Sequence, residues 1–347
     1  MNAVTENRHV PVVHPTHKFR LLLRREFWEH RGGFLWAPVI AGAIILVLSV
    51  MMILVGEVAA RRASADNTLV IENEHVTING LDLGALTSKL SAEDMRQLAG
   101  AIDASLLMVA GWPLVVLTFV VFFYCIGTLY DERKDRSVLF WKSLPLSDAE
   151  TVLSKAFSAT VVAPVLAVGA ALATMLGFLV VLSILVLAHG GNPIHLLWGL
   201  ANPFGLAAQL IASIPVYALW SLPTVGWLLL CSAWSRSKPF LWAFMIPVFA
   251  GIFVSMFGFM HLFNMETGWF WQNIVARLLL GTAPLSWVQV AHFENVQHFD
   301  GPAAVVSLIN PATVWSSLLT PQLWIGVLAG AAMIFAAIRL RRWRDEG

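Results

Sequence analysis

Ten histidines, two cysteines and scattered serines are the side chains of this sequence best equipped to bind a metal or attack a carbonyl. His292 and His298 stand six residues apart beside Glu294 and Asp300. Neither an HExxH spacing nor a Cys/His set accompanies them, so no catalytic zinc centre is expected. Cys125 and Cys231 fall singly inside apolar runs and read as buried thiols, and Met51, Met52 and Met245 read as packing rather than a copper path. Ser183, Ser213 and Ser221 also lie in apolar runs with no base beside them, where a hydroxyl bonds to its own helix. There is no Gly-x4-Gly-Lys-Ser/Thr loop, nor even a Gly-Lys pair, to cradle phosphates. The reading is therefore no catalytic residue, no metal site and no cofactor bound by this chain.

The informative chemistry lies elsewhere, between Asp131 and Glu150. Six consecutive charged residues, Asp131, Glu132, Arg133, Lys134, Asp135 and Arg136, lead into Ser137 and then an apolar block of Val138, Leu139, Phe140, Trp141, Leu144 and Leu146. Pro145 breaks the block, and Ser147-x-x-Glu150 forms a capping box that starts a new helix. Burying one leucine or aromatic side chain is worth about 1.5 to 3 kcal/mol, so a solvated loop has no reason to expose this many. Either the block folds back onto the membrane interface, or it docks as a short coupling helix in a groove of a partner, with the flanking charges fixing its register.

The elements that position this loop follow from composition. With 347 residues, 58% of them apolar and 12% charged, the chain is far from the roughly 25% charge of a soluble domain. Long apolar runs predict six spans, at about Phe34 to Val55, Leu106 to Tyr130, Ala156 to Ala188, Leu206 to Trp234, Phe240 to Phe263 and Leu323 to Ile338. Period-two alternation, the mark of a β-barrel, is absent from them. With the N-terminus inside, 17 of the 22 Lys and Arg residues fall on the cytoplasmic side, and Arg277 is the single basic residue of the last external stretch. A net charge of +1 gives no reason to expect a nucleic-acid partner.

The fold class is thus an all-α polytopic membrane protein of about six transmembrane helices, N-in and C-in. Residues 1–33 form a cytoplasmic N-terminus with no cleavable signal peptide, residues 34–338 a single transmembrane domain, and residues 339–347 a basic cytoplasmic tail. Within the N-terminus, Phe19, Leu22, Leu23 and Phe27 share one helical face and Arg20, Arg24 and Arg31 another, with Glu26 projecting into the apolar arc. This predicts an amphipathic helix along anionic headgroups. The acidic external loop 57–105 is expected to hold a short strand at Thr68 to Ile71 and a helix capped at Ser91. The external stretch 264–320 has apolar clusters too short to span, which suit interfacial or re-entrant helices. Gly326-x3-Gly330 permits close helix packing, within the chain or between copies.

Glu132-Arg133, Ser137, Leu144-Pro145-Leu146-Ser147, Glu150, Leu153 and Lys155 together resemble the inner-loop pattern of bacterial ABC-2 type transporter permeases. The topology extends the likeness over the whole chain. One departure is that many members carry Gly-Thr soon after the Glu-Arg pair, where this sequence reads Asp135-Arg136-Ser137-Val138. The resemblance implies the transmembrane subunit of an exporter in the bacterial inner membrane, paired as a homodimer with a second permease copy. It also implies two copies of a separate ATP-binding subunit, where ATP and Mg would bind. The loop 131–155 would then be the coupling loop, with Glu132, Arg133, Asp135 and Arg136 transmitting movement and Phe140 and Trp141 as apolar anchors. An ion-coupled secondary transporter is the alternative, weakened because the spans lack carboxylates. An intramembrane enzyme is the third class.

Overall fold

The computed structural model describes residues 15–66, 70–71, 74–75, 91–137, 146–260, 267–287, 306 and 309–343. Its principal helices are α1 (Pro15–Arg31), α2 (Ala37–Asp66), α3 (Ala92–Lys134), α4 (Asp148–Phe157), α5 (Ala163–Ala188), α6 (Pro203–Trp234), α7 (Pro239–Phe259) and α8 (Pro321–Trp343). Six continuous helical stretches, with α1 running into α2 and α4 into α5, are long and apolar enough to cross a membrane. The chain is a multi-pass helical membrane protein.

Proline chemistry explains how the joined helices connect. A π-turn at Gly32–Trp36 links α1 to α2, and another at Ser158–Val162 links α4 to α5. Each precedes a proline, Pro38 and Pro164. A proline ring crowds the carbonyl four residues earlier, and widening the turn relieves the clash. In both cases the residue before the proline donates five positions back, from Ala37 to the Gly32 carbonyl and from Ala163 to the Ser158 carbonyl. The helices therefore bend without breaking.

Helix ends follow the caps. Ser91 accepts from the Asp94 amide while the Asp94 carboxylate reaches back to the Ser91 amide, and α3 then runs 43 residues to Lys134. At 1.5 Å per residue that is about 64 Å, so α3 extends well beyond a hydrocarbon core of about 30 Å. Helix α2 likewise continues to Asp66, past the apolar run that ends near Val55. The expected strand reduces to a two-residue pairing of Val70–Ile71 with Glu74–His75.

Helix α6 is the most enclosed of the six and α2 the least. Around α6 the core gathers Leu117, Val121 and Tyr124 of α3, Ala163 and Ala167 of α5, and Leu323, Ile334 and Ala337 of α8. Gly226 and Gly330 bring α6 and α8 together, since a Cβ at Gly330 would lie 2.7 Å from the Leu222 backbone. Gly330 thus serves packing within one chain. The ends of α3, α6 and α8, the start of α4 and all of α1 meet at one end of the bundle, the basic end.

Candidate functional site: a buried ionic joint at the basic end

Glu26 of α1 is fully buried, and its place in an otherwise apolar arc now has a cause. Its Oε1 accepts from Lys155 Nζ of α4 at 2.9 Å and its Oε2 accepts from the Tyr124 hydroxyl of α3 at 2.8 Å. His30 Nδ1 stands 3.9 Å from the same carboxylate. Lys155, itself 1% exposed, also donates to Thr128 Oγ1 at 2.8 Å and lies 2.9 Å from Glu132 Oε1. The Glu132 carboxylate is shared further, with Arg341 Nη1 of α8 at 2.6 Å and Arg25 Nη2 of α1 at 3.7 Å. Arg341 Nε then reaches Asp148 Oδ1 at the first residue of α4, 3.2 Å away.

Three carboxylates, Glu26, Glu132 and Asp148, are therefore balanced by three cations, Arg25, Lys155 and Arg341. Isolated charges would not survive such burial; paired and hydrogen-bonded ones do. The joint ties α1, α3, α4 and α8 to one another. Arg133 fastens α6 as well, donating to the carbonyls of Ser232 at 2.5 Å and Ser235 at 2.9 Å. The Ser232 hydroxyl accepts in turn from the Leu129 and Tyr130 amides.

Both roots of the loop after α3 are fixed by this network. Asp135 closes α3 as its C-cap and is exposed. Arg136 is also exposed and takes the left-handed conformation, φ 55°, which turns the chain away from the helix axis. At the other root the Ser147 hydroxyl accepts from the Glu150 amide at 3.1 Å and the Ser147 amide donates to Glu150 Oε2 at 2.9 Å. That bond from the Ser147 amide and a second bond donated by the Ser147 hydroxyl to Glu150 Oε2 at 2.9 Å hold the Glu150 carboxyl below the usual carboxylate range. Val138, Leu139, Phe140, Trp141, Leu144 and Pro145 lie outside the described residues.

The face of α1 assigned to headgroups is partly spent inside the protein. Leu22 is buried, and the Phe19 ring meets Phe157 of α4 edge to face at 6.0 Å. Leu23 and Phe27 are half-buried, while Arg20 and Arg24 remain exposed. Of the glycines read as one seam, Gly330 faces the α6 backbone but Gly326 faces the guanidinium of Arg277.

Sequence reasoning named Glu132 and Arg133 but missed Glu26, Lys155, Arg341, Asp148 and Thr128 as members of one site. Glu26 carried a signal, an acid in an apolar arc. Arg341 carried none beyond its charge.

Among the described residues no group of three His, Cys, Asp or Glu side chains converges on a metal position. Ser183, Ser213 and Ser221 each donate to a carbonyl of their own helix. Cys125 and Cys231 are buried free thiols. The arrangement bonds residues at both loop roots to helices α1 and α8. In comparisons with known proteins, no family matches the chain, nor does any curated protein or solved structure.

Proposed function

We propose that this chain is the transmembrane subunit of an ATP-binding cassette exporter of the ABC-2 type, with its basic end in the cytoplasm of a bacterial inner membrane. Two copies pair, and each engages a separate ATP-binding subunit through the loop between α3 and α4. The observation that carries this reading is the buried joint, in which Glu132 on one side of the loop and Asp148 and Lys155 on the other are bonded into α1 and α8. A loop that merely rests on headgroups needs no such anchorage. One that receives a stroke does, since force applied to Val138 through Leu146 must reach helices rather than unravel their ends. Closure of two ATPase subunits would draw the two loops together and tilt the attached helices, opening the pathway on the other side.

The buried carboxylates of the joint sit at the basic end, whereas the apolar runs of the spans contain no Asp or Glu. That distribution favours a motor-driven transporter over an ion-coupled one. Mild-detergent purification tests the reading: an ATP-binding subunit is expected to co-purify, and Phe140→Ala with Trp141→Ala to release it. ATP hydrolysis by the isolated chain, or retention of the partner by the double variant, overturns it.

A further inference from the structure

Between α7 and α8 the described chain turns back into the bundle. Trp271 Nε1 donates to the Ser255 hydroxyl of α7 at 2.8 Å, the Thr282 carbonyl accepts from Thr118 and Tyr217, and the Arg277 carbonyl accepts from Thr224 of α6 at 2.6 Å. Thr224 lies ten residues before the end of α6 at Trp234, about 15 Å along the helix. Taking Trp234, followed closely by Arg236 and Lys238, as one boundary of a hydrocarbon layer about 30 Å thick puts Arg277 near mid-depth.

Its guanidinium rests 4.1 Å over the Trp220 ring and donates from Nη1 to the Gln322 carbonyl at 2.6 Å and from Nη2 to the Leu323 carbonyl at 3.5 Å. The Nε is buried without a hydrogen-bond partner, and no carboxylate among the described residues pairs with the charge. Position 326 is glycine, and a side chain there would occupy the volume of the guanidinium. The residue as a whole is half-buried and not fully enclosed. Two carbonyls and a ring face stabilise the charge in part, and none of them neutralises it. A cation within the membrane that has no carboxylate partner among the described residues is a candidate functional site, and a guanidinium fork matches the oxygens of a phosphate or carboxylate.

We propose that Arg277, backed by Trp220, binds the oxyanion head of an amphiphile. This site belongs to the chain alone and stands whether or not an ATPase partner drives it. The test uses the purified full chain in neutral detergent, with short-chain phosphatidic acid, the matching diacylglycerol and inorganic phosphate as probes, and thermal midpoint and binding titration as readouts. Phosphatidic acid is expected to raise the midpoint and diacylglycerol to leave it unchanged. Arg277→Gln is expected to weaken phosphatidic acid about tenfold or more, as loss of charge-assisted hydrogen bonds does, with Arg277→Lys, which keeps the charge without the fork, in between. A response to phosphatidic acid alone identifies a lipid-borne head, and an equal response to inorganic phosphate identifies a free oxyanion. The wild-type chain ignoring both phosphate probes overturns the proposal even if Arg277→Gln does not fold. So does either variant binding as tightly as wild type.

Discussion

Replacing Lys155 with methionine removes the cation at the centre of the joint while roughly keeping its volume. The two carboxylates it serves are not equally exposed to the loss. Glu132 keeps Arg341 at 2.6 Å and Arg25 at 3.7 Å, whereas Glu26 keeps only the Tyr124 hydroxyl at 2.8 Å and a histidine at 3.9 Å. The damage therefore falls on Glu26, which is fully buried. Breaking a buried pair by removing one partner costs about 3 to 5 kcal/mol, chiefly because the remaining charge has neither water nor a counter-ion. At about 2 °C per kcal/mol, the low end appropriate to a long chain, the melting midpoint in detergent falls by about 6 to 10 °C. Lys155→Met with Glu26→Gln removes both charges and recovers much of that loss, giving a coupling of about 1.5 to 3 kcal/mol in the double-mutant cycle. A Lys155→Met midpoint within about 1 °C of wild type, or a double variant as unstable as the sum of the two singles, would refute the joint.

Three further perturbations probe its surroundings. Ser147→Ala removes the helix cap at the second loop root and costs about 1 kcal/mol. Because Glu150 is held low by Ser147, the cap contributes fully above the ordinary Glu pKa of about 4.3 and is lost as pH falls through the lower folded value. An acid melting series on wild type and Glu150→Gln reads this, and a response in Glu150→Gln equal to wild type contradicts it. Arg136→Gly relieves a left-handed residue that costs about 1 to 2 kcal/mol, offset in part by the entropy of glycine, for a net gain of about 0.5 to 1 kcal/mol; an unchanged or lower midpoint counts against the turn. Gly330→Ala must push α8 off the Leu222 backbone and costs about 1 to 3 kcal/mol, while Gly111→Ala, which meets nothing within 4 Å, does not destabilise. Equal midpoints for the two alanine variants would contradict the α6–α8 crossing.

Hydropathy announced the six long helices because five of the apolar runs exceed the roughly 20 residues a bilayer requires and the last, Leu323 to Ile338, lies within the longer helix Pro321–Trp343; that signal is local in sequence. Caps are local too, which is why the helix starts at Ser91 and Ser147 could be read from four residues each. The joint was not readable in the same way. Glu26, Glu132, Lys155 and Arg341 are separated by at least 23 positions along the chain and become one cluster only when four helices pack. Charge counting put Lys155 and Arg341 on the cytoplasmic side and said nothing of their surroundings, while packing buries both almost completely. Gly326 and Gly330 illustrate the same limit, since one spacing motif hides two roles, room for a guanidinium and contact between helix backbones.

The chemistry of the joint also bears on why it is ionic. Apolar side chains of equal volume often match or exceed a buried ion pair in stability, so stability alone does not call for six charges at this place. An apolar seam, however, allows helices to slide with little change in energy, because dispersion contacts are non-directional and each is small. Lys155 can satisfy Glu26, Glu132 and Thr128 together in only one relative placement of α1, α3 and α4. Under the transport reading, that directionality suits a part that must carry a stroke from a loop into the bilayer. A shift of a single turn, about 5.4 Å, would exceed every ion-pair distance in the cluster and strand its charges. Under that same proposal, the helices at the basic end would move as one body, and the change of shape that opens a pathway would fall on their apolar portions farther into the membrane.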